Sequence, residues 1–219
     1  HRVPAEKECL RATTMVRHHL MLLNFQYFRD MGTRWSITGI VVAMILLAPV
    51  YAAGKLPLSV TGRISVIIEP VYKGLPLQLT DQYYINGHGD TLYIDLFRFY
   101  MTHFRLVSAT PGKQPTICAN SNHLVDAERP ASLQFYLDAP AGDYNSISFT
   151  AGVDSTDNTS GANSGDLDPV KGMYWAWNSG YIMAKLEGHS AVCATFHHAF
   201  EYHIGGYMPP YNAARTIII

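Results

Sequence analysis

Histidine and methionine are the residues whose types suggest chemistry most directly. After residue 53 the chain holds seven histidines, at 88, 103, 123, 189, 197, 198 and 203, and four methionines, at 101, 173, 183 and 208. Histidine with methionine favours copper in an exported protein, whereas histidine with carboxylates leaves zinc open. Each histidine taken alone is more often a surface or hydrogen-bonded residue than a metal ligand.

Spacing limits which histidines can share one ion. If 195–204 is a strand, His197 and His203 lie on one face but about 20 Å apart, and His198 points to the other face. A site must therefore combine histidines from different strands, for example His103 with His203 or with His123. The sequence does not choose between these pairs.

Two tryptophans form the second unusual feature, in the segment Tyr174-Trp-Ala-Trp177. On a strand, Met173, Trp175 and Trp177 would share one face, with neighbouring indoles about 6.6 Å apart. The alternative is core packing with a hydrogen-bonded indole N–H.

The polar, glycine-rich segment 154–169 is predicted to be a long loop, and loops of this length inside a domain are often functional. Its oxygen donors could bind Ca²⁺, although their spacing is not that of an EF-hand: Asp154, Asp157, Asn158, Asp166 and Asp168. The alternative is a solvated loop held by Asx turns.

Signatures of common enzymes are missing from the sequence. It contains no Gly-x-Ser-x-Gly, no phosphate-binding P-loop, no Gly-x-Gly-x-x-Gly and no His-Glu-x-x-His. The formal net charge of −1 excludes binding to nucleic acid through bulk electrostatics. We therefore expect a protein that is not an enzyme and has no nucleic-acid partner.

Charge and hydropathy divide the chain into two parts. Residues 1–53 carry six Lys/Arg and three Asp/Glu, whereas 54–219 carry ten and 14. Residues 31–52 have the order of a signal peptide: a basic start, an apolar run and small residues before a cleavage point after Ala52. The alternative is a retained membrane anchor. Residues 1–30 then form an upstream extension without predicted structure, and 54–219 form one domain.

An exported chain is expected in the periplasm, at the cell surface or in the medium, with no stable membrane span after cleavage. In an oxidising compartment Cys118 and Cys193 can form a disulfide. The other possibility is two separate small apolar residues.

The body is predicted to be an all-β antiparallel β-sandwich with long loops. Aromatic and β-branched runs alternate with Gly and Pro at the spacing of short strands. The predicted strands are 56–69, 91–107 (one bent strand or two), 123–125, 132–138, 146–153, 195–204 and 216–219, with 72–81 and 111–120 as connections.

Several motifs in 56–219 resemble those of the MbnP-like family of exported bacterial β-sandwich proteins. They are Tyr84-Ile-Asn-Gly-His-Gly-Asp90, Phe99-Tyr-Met-Thr-His-Phe-Arg-Leu106, His123-Leu-Val-Asp126, Ala141-Gly-Asp-Tyr144, Phe149-Thr-Ala-Gly-Val-Asp154, Asp168-Pro-Val-Lys-Gly-Met-Tyr-Trp-Ala-Trp-Asn-Ser-Gly-Tyr181, Leu186-Glu-Gly188 and Tyr202-His-Ile-Gly-Gly206. The segment from Gly172 to Tyr181 is the most specific of these.

The resemblance implies a function in copper handling. It implies a Cu(I) site made of histidines and a tryptophan oxidised to kynurenine, and a partner that performs the oxidation, a di-haem cytochrome c peroxidase-like protein of the MbnH type. Carried over to this chain, the tryptophan is Trp175 or Trp177, and the candidate metal ligands are His203, His103, His88 and His123. The alternative function is a Ca²⁺-stabilised surface or adhesion sandwich without copper.

Overall fold

The computed structural model describes residues 21–24, 61–177 and 180–219, and nearly all of its regular structure is β-strand. The strands are β1 (Met21–Asn24), β2 (Thr61–Tyr72), β3 (Leu75–Pro76), β4 (Tyr83–Ile85), β5 (Thr91–Ser108), β6 (Thr116–Ile117), β7 (His123–Asp126), β8 (Gln134–Pro140), β9 (Tyr144–Ala151), β10 (Tyr174–Trp175), β11 (Gly180–His189), β12 (Ala199–Gly205) and β13 (Arg215–Ile218). The α-helix α1 (Ser155–Thr159) has a single turn. The all-β prediction is confirmed.

Two antiparallel sheets pack face to face. The smaller sheet has four strands, in which β1, β3 and β8 each pair with β2. The larger sheet has nine strands, of which five form the path β10-β11-β5-β9-β13, while β12 pairs with β11 and the short strands β4, β6 and β7 pair with β5. Alternate residues of each strand point inward, and the inward side chains of the two sheets meet in one buried cluster. The smaller sheet contributes Val66, Ile68 and Leu137, and the larger contributes Phe104 and Phe149. This cluster is the core of the predicted β-sandwich.

The long strand β5 organises the larger sheet. It is one continuous strand of 18 residues, which settles the choice between one bent strand and two. It pairs with β4, β6 and β7 and also with β11 and β9. Its pairing with β9 shifts between Thr102 and Arg105. Two residues of β5 lie there opposite one residue of β9, which is a β-bulge.

One strand prediction is wrong at its start. The predicted strand 195–204 begins only at Ala199, because Phe196–His198 forms a 3₁₀ turn in which His198 N–H donates to the carbonyl of Thr195. His197 and His198 both have positive φ, 55° and 56°. The estimate that placed His197 and His203 on one strand therefore does not apply.

Other elements were missing from the sequence prediction. Strand β11 was not predicted, because its first four residues are a buried run in which apolar residues do not alternate with polar ones. The connection 72–81 contains β3, and 111–120 contains β6. The segment 154–169 contains α1 and a 3₁₀ turn at Gly165–Leu167.

The predicted signal peptide, 31–52, lies outside the described residues, as do 1–20. Strand β1 falls within the segment 1–30 and pairs with β2. Within the described ranges, no helix has the length and apolar character that a membrane crossing needs. Cys118 and Cys193 are separate buried thiols rather than a disulfide, and burial raises the pKa of Cys118 to about 11.

A candidate metal centre and a tryptophan face

His103 is placed by the β-bulge of β5. Its φ is +54°, a left-handed backbone conformation that is uncommon for residues other than glycine. Such a conformation persists only where surrounding structure holds it, and it is frequent at functional sites. The bulge turns the His103 side chain toward the segment that follows β9.

Two aspartates from that segment meet the imidazole. Nδ1 of His103 lies 3.7 Å from Oδ2 of Asp154, and Nε2 lies 3.5 Å from Oδ2 of Asp157. One ligand atom from each residue lies within 4.8 Å of the other two. Among the described residues this is the one group of three His, Cys, Asp or Glu close enough to hold an ion.

Local structure holds both carboxylates. Asp154 is the N-cap of α1, and its Oδ1 accepts a hydrogen bond from Asp157 N–H at 3.0 Å. The amide of Asn122 donates to Oδ2 of Asp157 at 3.2 Å. The metal centre therefore combines residues from β5, α1 and the segment before β7.

The other loop oxygens have separate structural roles. Asn158 is buried and donates to the carbonyls of Val153 and Asp154. Asp166 pairs with Lys171 at 2.5 Å, and Asp168 accepts from Val170 N–H at 2.9 Å. The five oxygen donors considered for Ca²⁺ thus divide between the metal centre and the framework of the loop.

His123 lies in the sandwich core. Its ring stacks on Phe135, with centroids 3.7 Å apart and planes 16° apart. Burial lowers the pKa of His123, against opposing effects of a backbone hydrogen bond at Asn120 and the charge of Asp166. Its Nε2 is buried without a hydrogen-bond partner. The imidazole is therefore a neutral core ring.

Strand register separates the predicted histidines. His123 lies opposite Met101, two residues along β5 from His103, so His103 and His123 are diagonal neighbours. His203 lies opposite Lys185, which in turn lies opposite Arg98. His203 is therefore five residues along β5 and two strands across from His103, and the two residues are roughly 19 Å apart. The register therefore separates His203 from His103, and the group of potential ligands around His103 in the described residues contains neither His123 nor His203.

His88 is at the opposite end of β5, in the turn between β4 and β5. Its backbone N–H donates to Oδ1 of Asn86 at 2.8 Å, and Asp90 N–H donates to the same oxygen. His88 thus belongs to a tight turn that is far along β5 from His103.

A second polar group surrounds His203. Its Nε2 lies 2.7 Å from Oε1 of Glu187, and Nζ of Lys185 lies 3.6 Å from the same oxygen. Because the carboxylate binds Nε2, Nδ1 is the nitrogen through which His203 can bind a metal. A carboxylate on the far nitrogen is the usual support of a metal-binding histidine.

Trp175 packs on the same face of β12. A Cβ added at Gly205 would come within 2.3 Å of Cζ3 of Trp175, so the indole lies directly on Gly205. Gly205 and His203 are two residues apart on a strand and share that face. We call Trp175, Lys185, Glu187 and His203 the tryptophan face.

Trp177 differs from its neighbour. Strand β10 contains only Tyr174 and Trp175, so the prediction of one strand face for Met173, Trp175 and Trp177 is wrong. Met173 is fully buried, whereas Trp177 is 81% exposed in the turn that follows. The two indole centroids are 5.8 Å apart.

Sequence reasoning missed Glu187 and the role of Asn122. Glu187 belongs to the Leu186-Glu-Gly188 motif, but its position beside His203 depends on the pairing of β11 with β12, and β11 was not predicted. Asp154 and Asp157 were singled out, and so was His103. Their combination depends on the bulge, which no periodicity in the sequence indicates.

The fold and these sites define a class, namely two-sheet antiparallel β proteins that carry histidine-containing polar sites on the larger sheet. The family model MbnP matches residues 61–219, and the chain belongs to the MbnP family. A search of curated protein sequences found no match.

A solved structure supports the same fold. The chain is similar to MbnP from Methylosinus trichosporium, with 18% sequence identity and a TM-score of 0.50, over 72% of this chain and 68% of that one. At this identity, the similarity concerns the fold.

Proposed function

We propose that this chain is an exported copper-binding protein that acts in a methanobactin-associated system, is not an enzyme, and binds Cu(I) through His203 and an oxidised form of Trp175. The observation that carries the proposal is the tryptophan face, where Trp175 and His203 share one side of β12. Membership of the MbnP family supports the copper assignment.

The residues present fit copper after one modification. Imidazole nitrogen is a suitable Cu(I) ligand, and Glu187 orients His203 so that Nδ1 is available. An indole is a poor ligand because its nitrogen lone pair belongs to the ring. Opening the five-membered ring to kynurenine produces an aromatic amine and a ketone, which are better donors.

The modification has a defined stoichiometry. Two oxygen atoms, one from each of two peroxide molecules, add across the C2–C3 bond of the indole, and two water molecules leave. Hydrolysis of the resulting N-formylkynurenine releases formic acid. A di-haem peroxidase-like partner would supply the oxidising equivalents, because amino-acid side chains alone do not activate peroxide for the oxidation of an indole.

The exposure of Trp177 supports the partner. The side chain protrudes 81% exposed beside Trp175, and their centroids are 5.8 Å apart. A partner that contacts Trp177 can therefore remove electrons from Trp175 without entering the sheet. The predicted leader 31–52 would deliver this chain to the exported compartment in which such a partner would meet it.

Mass spectrometry of the protein purified from its own host tests the modification. The tryptic peptide 172–185 contains both tryptophans, and we expect it to be roughly 4 Da heavier than the unmodified peptide, with fragment ions placing the change on Trp175. Trp175→Phe should abolish the shift. Trp177→Phe should lower the yield of that change without moving it from Trp175, because Trp177 is the residue that the partner would contact. An unmodified host peptide would contradict the proposal.

Copper retention tests the ligand. We expect His203→Gln to weaken Cu(I) binding by at least about 10-fold in competition with a chromogenic Cu(I) chelator. His189→Gln is the control, because His189 also bonds to a carboxylate, Asp95, at 2.9 Å, but its ring stacks on Tyr93 rather than on a tryptophan of the described residues. Equal losses in the two variants would remove His203 from the site.

A further inference from the structure

We propose that His103, Asp154 and Asp157 form a second metal site, separate from copper, that binds a borderline divalent cation such as Zn²⁺ and retains a coordination position open to solvent. The proposal does not depend on the tryptophan face. It rests on the tautomer of His103, the spacing of the three ligands and the cavity onto which they open.

The hydrogen bonds of Thr102 determine the tautomer of His103. The Thr102 hydroxyl is buried and donates its proton to the carbonyl of Gly152 at 2.8 Å. Its oxygen lies 3.2 Å from Nδ1 of His103. Because that hydroxyl proton is already used, Nδ1–H must be the donor of this contact. The neutral ring therefore carries its lone pair on Nε2.

That lone pair faces a carboxylate. Nε2 of His103 lies 3.5 Å from Oδ2 of Asp157, and neither atom has a proton to share when the ring is neutral. Two acceptors at this distance repel each other unless a proton or a metal cation lies between them. Two ligands of a tetrahedral zinc ion at about 2.0–2.1 Å from it are about 3.4 Å apart. The observed spacing is close to that value.

The third ligand and its surroundings complete the arrangement. The ligand atoms of Asp154, Asp157 and His103 lie within 4.8 Å of one another, whereas two ligands of one tetrahedral zinc ion are about 3.4 Å apart. A side-chain adjustment of at most about 1.4 Å closes the difference. The amide of Asn122 donates to Asp157. The Oδ1 atom of the same amide is buried without a hydrogen-bond partner, so an acceptor oxygen close to the three ligands is unsatisfied.

The site opens onto a polar cavity of about 280 Å³. His103 and Asp154 line it, together with Arg105 and Arg215. The guanidinium of Arg215 is held by bonds to the carbonyls of Asn212 and Ala214, at 2.7 and 2.8 Å. Three protein ligands with an open side leave room for water or a small anion beside the cation, and the two arginines would favour an anion.

The donor set selects the class of metal. Two carboxylate oxygens and one imidazole nitrogen suit Zn²⁺ or Mn²⁺ and lack the sulfur or additional imidazole ligands that favour Cu(I). Ca²⁺ requires six to eight oxygen ligands, and this group has one nitrogen and two carboxylates. A borderline divalent ion therefore fits best.

Zinc titration of the full chain tests the site, with calorimetry or a competing zinc indicator as the readout. We expect His103→Asn and Asp157→Asn each to weaken Zn²⁺ binding by at least about 100-fold, which exceeds the effect of most supporting residues. Asparagine tolerates the left-handed backbone of His103, and it keeps the side-chain oxygen of Asp157. Both variants should therefore fold.

His189→Asn is the matched control, because the Asp95–His189 pair has no third ligand among the described residues. It should leave the zinc affinity unchanged. Co²⁺ provides a second readout, since its visible absorption should change in Asp157→Asn and not in His189→Asn. Equal zinc affinity in all four proteins would overturn the site. Cu(I) retention by His103→Asn should equal that of the unchanged protein, which keeps this test separate from the copper proposal.

Discussion

His123 shows how one buried ring links stability to pH. Burial lowers its pKa in the folded protein, whereas in the unfolded chain the value is about 6.5. Between these two values the unfolded state binds more protons than the folded state. Stability should therefore be highest above the unfolded pKa and should fall as pH decreases from there toward the folded pKa.

The variant His123→Phe tests this effect while retaining an aromatic ring against Phe135. We expect its urea midpoint to fall less than that of the unchanged protein between about pH 7.5 and pH 5.5. His88→Gln removes an exposed imidazole. It is the control that measures how much the pH dependence of the urea midpoint changes when an exposed histidine is lost. If His123→Phe and the unchanged protein lose the same stability over this range, His123 does not carry the effect.

Residue types were the best-predicted part of the candidate sites. Trp175 and His203 were both proposed from the sequence, and they share a face in the structure. The ligand groups were not predictable, because each depends on distant pairing: His103 meets Asp154 and Asp157 through a bulge, and Glu187 meets His203 across β11 and β12. Side-chain chemistry is local in sequence, whereas its convergence depends on register.

The close contact between β10 and β12 belongs to the scale of elements. A Cβ at Gly205 would lie 2.3 Å from Cζ3 of Trp175 and 2.8 Å from the backbone carbonyl of Tyr181. The indole can move, but the carbonyl belongs to a paired strand. Glycine is thus required where β12 passes beneath the tryptophan.

We expect Gly205→Ala to lower the free energy of unfolding by about 1–3 kcal/mol, because overpacking displaces backbone and ring together. Urea denaturation followed by circular dichroism measures the change, and tryptophan fluorescence of the native state should shift with it. Gly62→Ala in β2 is the control, since its Cβ would meet Ala139 at an ordinary 3.7 Å. An unchanged midpoint in Gly205→Ala would contradict the contact.

Element predictions succeeded for short apolar runs bounded by turn residues. The predicted strands at 123–125 and 132–138 correspond to β7 and β8. Buried and exposed residues alternate in β8, whereas β7 has three consecutive buried residues. Strand β11 was missed because it lies in the middle of the sheet with both faces covered at its start. The 3₁₀ turn at Phe196–His198 was missed because positive φ at two histidines has no sequence signal.

At the scale of the whole molecule, the two sheets share one core. Leu137 of β8 is fully buried in the cluster that also contains Phe104 and Phe149 of the larger sheet. Truncating Leu137 removes contacts with both sheets at once. The sandwich should therefore lose stability as a unit rather than sheet by sheet.

Leu137→Ala is expected to lower the free energy of unfolding by about 2–5 kcal/mol, the usual effect of a cavity in a packed core. The slope of unfolding free energy against urea should stay unchanged if both sheets unfold together. Tyr136→Ala serves as the control, because the adjacent side chain points outward and is 49% exposed. Two separate unfolding transitions would show that the sheets are independent.

The pairing of β5 with strands that come later in the chain should affect the folding rate. One edge of β5 is completed by β9 and β11, and β11 ends only at His189. During synthesis the central strand thus waits for partners made much later in the chain. Pairing between distant segments slows folding because loop-closure entropy is lost before contacts form. We expect refolding from urea to be slow for a protein of this size, which would keep the chain unfolded long enough for the export proposed above.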